Sequence, residues 1–348
     1  MQQTKQRVLM LEAPLRVRFS DMLLPDPGPK DVVVRSIYST FKHGTEMMAY
    51  FGRSPFAVRT FNQDLRLFEP KQVPQDFYPR PMGSMVVGAV VWIGEDVRKL
   101  KRGQHVFAWA PIADVHVFPE DKVEPLRNLT PEQALCIDPA SFALGGLIDG
   151  GIKQSESVLV TGLGAVGLFA VQYCKALGAK AFAASSFELR RELAEGYGAT
   201  EVFDPSAHDD LARQIKERTG GVDAAIECSG SLVNLNRAIR AVRQCGRVVC
   251  IGFYGPGDGN INLGEEFFHN RITLLASLPA FGWGNPVRGK RPLYAKDLQK
   301  MTMSDFSKRK ITADGIFAPI MPFSEADRAV RLIADSPQQV VKVLIKHE

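Results

Sequence analysis

Cysteine is scarce in this chain: there are five, Cys136, Cys174, Cys228, Cys245 and Cys250. No two of them form a C-x-x-C pair, and the odd number argues against a disulfide framework. Most sit in apolar strand or helix contexts and read as small core residues. Long apolar runs are missing too. No stretch of about 18 apolar residues exists, which excludes a membrane-spanning helix. Met1 to Lys5 carry no apolar signal region, so a reduced, cytoplasmic location is expected. Nor does one sign of charge dominate: 43 Lys and Arg against 38 Asp and Glu leave a net +5. Basic residues cluster only at Arg288-Gly289-Lys290-Arg291 and Lys308-Arg309-Lys310, which read as solvated faces. Nothing resembles a nucleic-acid module, and a small anionic ligand is enough to explain the excess.

What is present is an ordinary globular composition, 45% hydrophobic and 23% charged, over 348 residues. That length suggests two domains or one with a large elaboration. Residues 6–20 read as strand, turn and strand. Pro25 to Pro29 is a rigid turn, and Asp31 to Ser39 is a strand. Residues 50–80 hold many Pro, Phe and Arg residues and no clear period. They read as a long loop, either a substrate site or a subunit contact. Met85 to Ile93 and residues 103–108 read as further strands, so the first part is β-rich and short-stranded, as in a distorted barrel. From Thr130, an N-cap with Pro131 beside it, the pattern changes. Strands at 157–161, 180–184, 201–203, 223–227 and 246–251 alternate with helices at 165–177, 187–196, 208–217 and 231–243. This is the signature of right-handed βαβ units on a parallel sheet. The tail ends in an apolar strand, Val340 to Ile345, expected to pack back on the first domain.

The segment Ser157 to Thr161 is a short apolar strand. It runs into Gly162-Leu163-Gly164-Ala165-Val166-Gly167 and then into a helix. G-x-G-x-x-G in this context is the dinucleotide-binding fingerprint. Its glycines permit a tight turn, close backbone approach to a pyrophosphate and close helix–strand packing. The helix N-terminus offers free N–H groups to the phosphates. In NAD enzymes an acidic residue ends the second strand, about 20 residues on, and binds the ribose 2′-hydroxyl. Here Ser185 falls at that place, followed by Ser186, Phe187, Glu188, Leu189, Arg190 and Arg191. Hydroxyls and a guanidinium suit a 2′-phosphate, so Ser185, Ser186 and Arg190 favour NADP(H). The alternative is that Arg190 is a solvent-facing helix residue. Arg191 reads as one outright, and Glu188 is a dissenting charge.

Order and spacing together resemble the medium-chain dehydrogenase/reductase superfamily along essentially the whole chain. The likeness rests on Pro27 to Val34, Gly44-Thr45-Glu46, Gly83 to Gly88, Gly103 to Val106 and the fingerprint. Glu227-Cys228-Ser229-Gly230, Gly246 to Val249 and Ile251-Gly252 add to it. The resemblance implies an α/β protein with a GroES-like distorted β-barrel catalytic domain, residues 1–128 with 279–348. A Rossmann doubly wound parallel-sheet domain, 129–278, is inserted in it, and the active site lies in the cleft. It also implies cofactor contacts from Ser229, Gly230 and Gly252 at the nicotinamide ribose, Ser277 at the carboxamide and Lys342 at the pyrophosphate. The family usually assembles as a homodimer or homotetramer. A closer likeness is to the glycoside 3-dehydrogenase subgroup that includes D-guloside 3-dehydrogenase. It is carried by Lys42 to Glu46, Ser54-Pro55-Phe56 with Phe61-Asn62, Met85 to Gly88, and Asp138-Pro139-Ala140 with Phe142-Ala143. Members of that subgroup oxidise a sugar-ring hydroxyl to a ketone. They carry an acidic residue where this chain has Ser185, so the cofactor choice departs from theirs.

The departures from the zinc members are equally informative. Those members have Cys-Gly-Thr-Asp where this chain has His43-Gly44-Thr45-Glu46, and Gly-His-Glu where it has Gly83-Ser84-Met85. They place a third ligand near Asp138. Ser and Met do not make a zinc site, and no Cys lies between 98 and 135 for a structural zinc lobe. No metal is expected, with a residual His43/Asp138 site, joined by Glu46, as the alternative. Without zinc, an oxyanion must be stabilised and a proton moved by side chains. Lys42 as a point charge and His43 as acid/base are the candidates, with Thr45 matching the family's relay hydroxyl and Asp138 orienting His43 or Lys42. The alternatives are a structural His43 and a solvent-facing Lys42. Arg53, Phe56 and Asn62 in the 50–80 loop suit a sugar. Three functions follow in order: a zinc-independent NADP(H) oxidoreductase interconverting a secondary hydroxyl and a ketone on a sugar, glycoside or cyclitol; a quinone or enoyl reductase; and a non-catalytic NADP(H) sensor.

Overall fold

The computed structural model describes residues 5–71, 77–207, 210–255, 259–278 and 294–348. His208 and the Arg288–Arg291 cluster lie outside the described residues. The chain divides into two compact units, residues 1–135 with 317–348, and residues 136–316. Ten strands come first: β1 Lys5–Ala13, β2 Arg16–Leu23, β3 Asp31–Thr40, β4 Arg59–Asn62, β5 Leu67–Pro70, β6 Arg80–Pro81, β7 Met85–Ile93, β8 His105–Ala108, β9 Val115–Pro119 and β10 Glu124–Pro125. Helix α1 (His43–Tyr50) follows β3, and α2 (Pro131–Leu135) closes the stretch. The second unit holds α3 Ile137–Asp149, β11 Ser157–Thr161, α4 Ala165–Leu177, β12 Lys180–Ala184, α5 Glu188–Gly196, β13 Glu201–Phe203, α6 Leu211–Thr219, β14 Val222–Glu227, α7 Leu232–Ala241, β15 Val242–Cys250, β16 Thr273–Ala276 and α8 Ala295–Ser307. The chain then returns with β17 Phe317–Pro322, α9 Ala326–Asp335 and β18 Lys342–Lys346.

In the first unit β3 organises the main sheet. One edge pairs antiparallel with β7. The other is shared, β9 taking Asp31–Arg35 and β18 taking Tyr38–Thr40. The terminal strand therefore packs beside β3, with β17 parallel to it on its far side. Alternating apolar residues of these strands, Val32, Val34, Val86, Val90 and Val106, form one buried cluster. Leu9, Leu11, Phe41, Met82, Ile112, Val343 and Ile345 form another. The expected loop at 50–80 is partly structured: β4 and β5 form an antiparallel hairpin. It escapes a reading by period because Leu65, Leu67 and Phe68 stay exposed, leaving no buried face to create alternation.

The second unit is an all-parallel sheet among the described residues, in the order β13-β12-β11-β14-β15-β16. This is the doubly wound order, with its switch beside β11. Strands 157–161, 180–184 and 201–203 and helix 165–177 lie where the sequence puts them, because buried parallel strands read as apolar runs between glycines. Helix α6 begins at Leu211 rather than 208: Asp210 caps it, accepting from Arg213 N at 3.1 Å. The expected boundaries at 128/129 and 278/279 differ from the observed ones. α2 packs on β3 and β7, while α8 packs on α3, so the units change over at 135/136 and 316/317. Cys136 and Cys174 are core residues as expected. Cys245 is exposed within β15 at φ +55°, so it is no core residue. No helix among the described residues is long and apolar enough to cross a membrane.

Two histidines are buried in the first unit. His347 bonds Ser39 Oγ through Nε2 at 2.8 Å and stacks on Phe323, while its Nδ1 has no partner. His116 stacks on Phe118, with its Nε2 likewise unpaired. Burial pushes His116 down to about 4 and His347, also facing His116, down to about 3. The unfolded chain binds these protons near 6.5, so the contribution of both to stability is complete above that value and is lost as pH falls towards the folded values. Each is expected to remove up to about 1.4 kcal/mol of stability per pH unit below 6. Urea denaturation between pH 7 and 4.5 checks this: His347→Gln should flatten the acid slope, and an unchanged slope would refute the assignment.

Candidate functional site

The fingerprint turn is built as its residue types require. Gly162 has φ +82°, and a Cβ there would lie 2.6 Å from Ser229. Gly164 differs. It is the N-cap of α4, extended at φ −73° and ψ −174°, and a Cβ there meets nothing within 4 Å. Among the described residues nothing crowds this point, which leaves the backbone open to a ligand. Ala165 and Val166 open α4, whose first amides have no intrahelical acceptors. Just before the turn, Thr161 Oγ1 is buried with no partner. These features fit a dinucleotide pyrophosphate held at the N-terminus of α4.

The loops after β14 and β15 close against this turn through Glu227, which is fully buried. Its carboxylate accepts from Ser229 N at 2.8 Å, Gly230 N at 3.0 Å, Tyr254 OH at 2.5 Å and the Ser229 hydroxyl. Burial raises its pKa, and the Ser229, Tyr254 and Gly230 donors oppose that rise. Gly252 packs so tightly that a Cβ would lie 2.2 Å from Gly230 N. Ser277 is buried, its hydroxyl donating to Asp149 at 2.6 Å and its N–H to Cys250 O. Gly162, Ser229, Gly230 and Gly252 thus come together. Glu227 and Tyr254 hold them; from sequence Glu227 enters only within a family motif, with no site role, and Tyr254 does not enter at all. Glu227 had a signal, a carboxylate ending an apolar strand; Tyr254 had none.

At the end of β12, Ser185 is buried, its Oγ accepting from Phe187 N at 3.2 Å. Ser186 is exposed. The Arg190 guanidinium lies 4.6 Å over the Phe187 ring, and burial lowers its pKa to about 10. Glu188 points to solvent. Arg191 is not the solvent-facing residue the sequence suggests. Its Nη1 donates to the Ser185 carbonyl at 2.7 Å and pairs with Asp204 at 3.1 Å. Helical spacing could not reveal this, because the partners are strand ends on the neighbouring layer.

In the first unit, β3 ends at Thr40 and the chain turns into α1 with Lys42 as N-cap. Glu46 reaches back to Lys42 N and across to Gly83 N, each at 2.5 Å. Burial raises its pKa against those two bonds and the charges of Lys342 and Arg80. His43 Nε2 accepts from Val343 N at 3.2 Å. Lys342, expected at a pyrophosphate, is buried with Nζ donating to Phe41 O at 2.6 Å. The Ser84 hydroxyl donates to Thr40 O, and Met85 is buried. Thr45 sits half-buried in the first turn of α1. Asp138 lies in the second unit, in the first turn of α3. Asn62 spends its amide inside its hairpin, on Asp64 N, Leu65 N and Glu69. Arg53 is exposed beside Phe51, and Phe56 packs on Phe68. Asp114 accepts from Arg7 N at 2.9 Å. Among the described residues no group of three or more His, Cys, Asp and Glu could hold a metal ion.

A parallel sheet in doubly wound order, with a glycine turn opening onto a helix N-terminus, defines a dinucleotide-binding oxidoreductase fold. The family model for zinc-binding dehydrogenases matches residues 165–280. D-guloside 3-dehydrogenase of Escherichia coli (strain K12) is 28% identical over 327 residues, spanning 90% of this chain and 92% of that one. A dehydrogenase from Sinorhizobium meliloti 1021 bound to NADP shares the fold at TM-score 0.76 and 22% identity, covering 99% of this chain and 100% of that one. An alcohol dehydrogenase from Escherichia coli CFT073 complexed with NADH does so at TM-score 0.75 and 18% identity, covering 98% and 99%. An L-galactonate-5-dehydrogenase of Escherichia coli (strain K12) is 24% identical over 349 residues, spanning 91% of this chain and 92% of that one. These likenesses support placing the chain in the medium-chain dehydrogenase/reductase superfamily.

Proposed function

We propose that the chain is an NADP(H)-dependent, zinc-independent oxidoreductase interconverting a secondary hydroxyl and a ketone on a sugar, glycoside or cyclitol-type ring. The observation that carries the cofactor choice is the corner at 185–191. A hydroxyl and a desolvated guanidinium stand where an NAD enzyme has its carboxylate. The same fold holds NADP in one solved structure and NADH in another, so the choice between them is read from these residues. Likeness to D-guloside 3-dehydrogenase supports a sugar-type substrate.

Donor chemistry supports the absence of zinc from the reading. Ser84 and Met85 are unsuited to it. Both Glu46 oxygens and His43 Nε2 already accept backbone N–H groups. When bound, the nicotinamide supplies or accepts the hydride. The chain's own part is to hold the pyrophosphate at the α4 amides, the 2′-phosphate at Ser185, Ser186 and Arg190, and the nicotinamide ribose along Ser229, Gly230 and Gly252. Lys42 is assigned to polarise the substrate oxygen. His43 is assigned to move the proton through Nδ1, the nitrogen left protonated when Nε2 accepts from Val343. Thr45 is assigned as the relay hydroxyl.

A second reading, reduction of a quinone or enoyl C=C bond, needs neither Lys42 nor His43. The Val343–His43 bond favours it, since it gives His43 a structural task. Lys42→Ala and His43→Ala separate the two. Each is expected to lower turnover of secondary alcohols in chelator-treated protein by about 100-fold. Unchanged turnover would sink the alcohol/ketone reading.

A further inference from the structure

We infer that Arg191 and Asp204 form a charge pair that sets how strongly the adenosine end of the cofactor site distinguishes a 2′-phosphate from a 2′-hydroxyl. The inference rests on the NADP(H) reading above and names residues that the fingerprint does not. β12 and β13 run parallel with Ala184 beside Phe203, so Ser185 and Asp204 leave the sheet side by side. Neighbouring strands lie about 4.8 Å apart. A carboxylate is therefore present at this corner after all, displaced by one strand from the place where an NAD enzyme carries it.

Its charge is held in check. Asp204 Oδ1 accepts from Ser206 N at 2.8 Å and Ser206 Oγ at 2.5 Å, which fixes the carboxylate. Oδ2 pairs with Arg191 Nη1 at 3.1 Å, and the same nitrogen donates to the Ser185 carbonyl at 2.7 Å. Both side chains are largely covered, at 19% and 25% exposure, so the pair is screened less than a surface one. Arg191 thus pairs with Asp204 and anchors the backbone of Ser185, while the Arg190 guanidinium lies over the Phe187 ring. Glu188 is exposed to solvent and weakly felt here.

Removing either partner has opposite consequences. Arg191→Gln uncovers a carboxylate beside the 2′ position. It repels a phosphate and accepts a hydrogen bond from a hydroxyl. Asp204→Asn removes that carboxylate and leaves Arg191 as an additional cation. Titration of full-length protein with adenosine 2′,5′-bisphosphate and with AMP reads this directly. The preference for the bisphosphate is expected to fall about tenfold in Arg191→Gln, to rise about threefold or more in Asp204→Asn, and to return close to wild type in the double variant. A merely structural role would weaken both ligands alike in both single variants, and that result overturns the inference. Wild-type protein with no preference for the bisphosphate would overturn the cofactor reading and the inference together. A wild-type preference that neither variant moves would overturn the inference alone.

Discussion

Replacing Gly164 by valine is expected to weaken dinucleotide binding by about 100-fold and to cost less than about 1 kcal/mol of stability. The two effects separate because of where Gly164 stands. Its backbone is extended, at φ −73° and ψ −174°, which any residue adopts. A Cβ there meets nothing within 4 Å among the described residues. The protein therefore accommodates valine with no more than the loss of a favourable N-cap residue. A pyrophosphate seated on the first amides of α4 does not, because the side chain would stand between it and the backbone. Fluorescence titration with NADPH and a thermal melt on the same sample check this. Unchanged affinity would mean that the phosphates lie elsewhere. A collapse of the melting temperature would mean that Gly164 serves packing after all.

Glu227→Ala is expected to lower stability by about 3–5 kcal/mol, a drop in melting temperature of roughly 10 °C, and to weaken cofactor binding with it. The carboxylate is the shared acceptor for Ser229 N, Ser229 Oγ, Gly230 N and Tyr254 OH in a fully buried position. Alanine leaves all four donors without it, and each buried unsatisfied donor costs about 1–3 kcal/mol. Because Gly162 packs on Ser229 and Gly252 on Gly230, the loss loosens the turn and both following loops together. Glu227→Gln keeps one acceptor oxygen and should recover part of the loss. Tyr254→Phe removes one donor and should cost about 1 kcal/mol. A Glu227→Ala protein with native melting temperature and native cofactor affinity would refute this role.

The architecture of the second unit was legible because its signals are local. Ser157–Thr161 and Lys180–Ala184 are buried on both faces and read as short apolar runs, and the glycine turn between β11 and α4 has a spacing of its own. What stayed hidden is what depends on distant partners. Arg191 reads as an exposed helix residue until Asp204, on another strand end, is brought to it. His347 reads as a tail residue, yet it bonds Ser39 across 308 positions of sequence. The β4–β5 hairpin has no buried face and hence no period. In the candidate site, Ser185 and Arg190 could be chosen by residue type. Whether Lys342 faces a phosphate or the Phe41 carbonyl could not, because the same ammonium serves either.

The central claim is that this chain takes NADP(H) because of the corner at 185–191. Parallel titrations of the full-length protein with NADPH and NADH, followed by cofactor fluorescence at one ionic strength, test it most directly. The account predicts NADPH binding at least about tenfold tighter, a difference that shrinks as salt screens the 2′-phosphate. Equal affinities, or tighter binding of NADH, would contradict it.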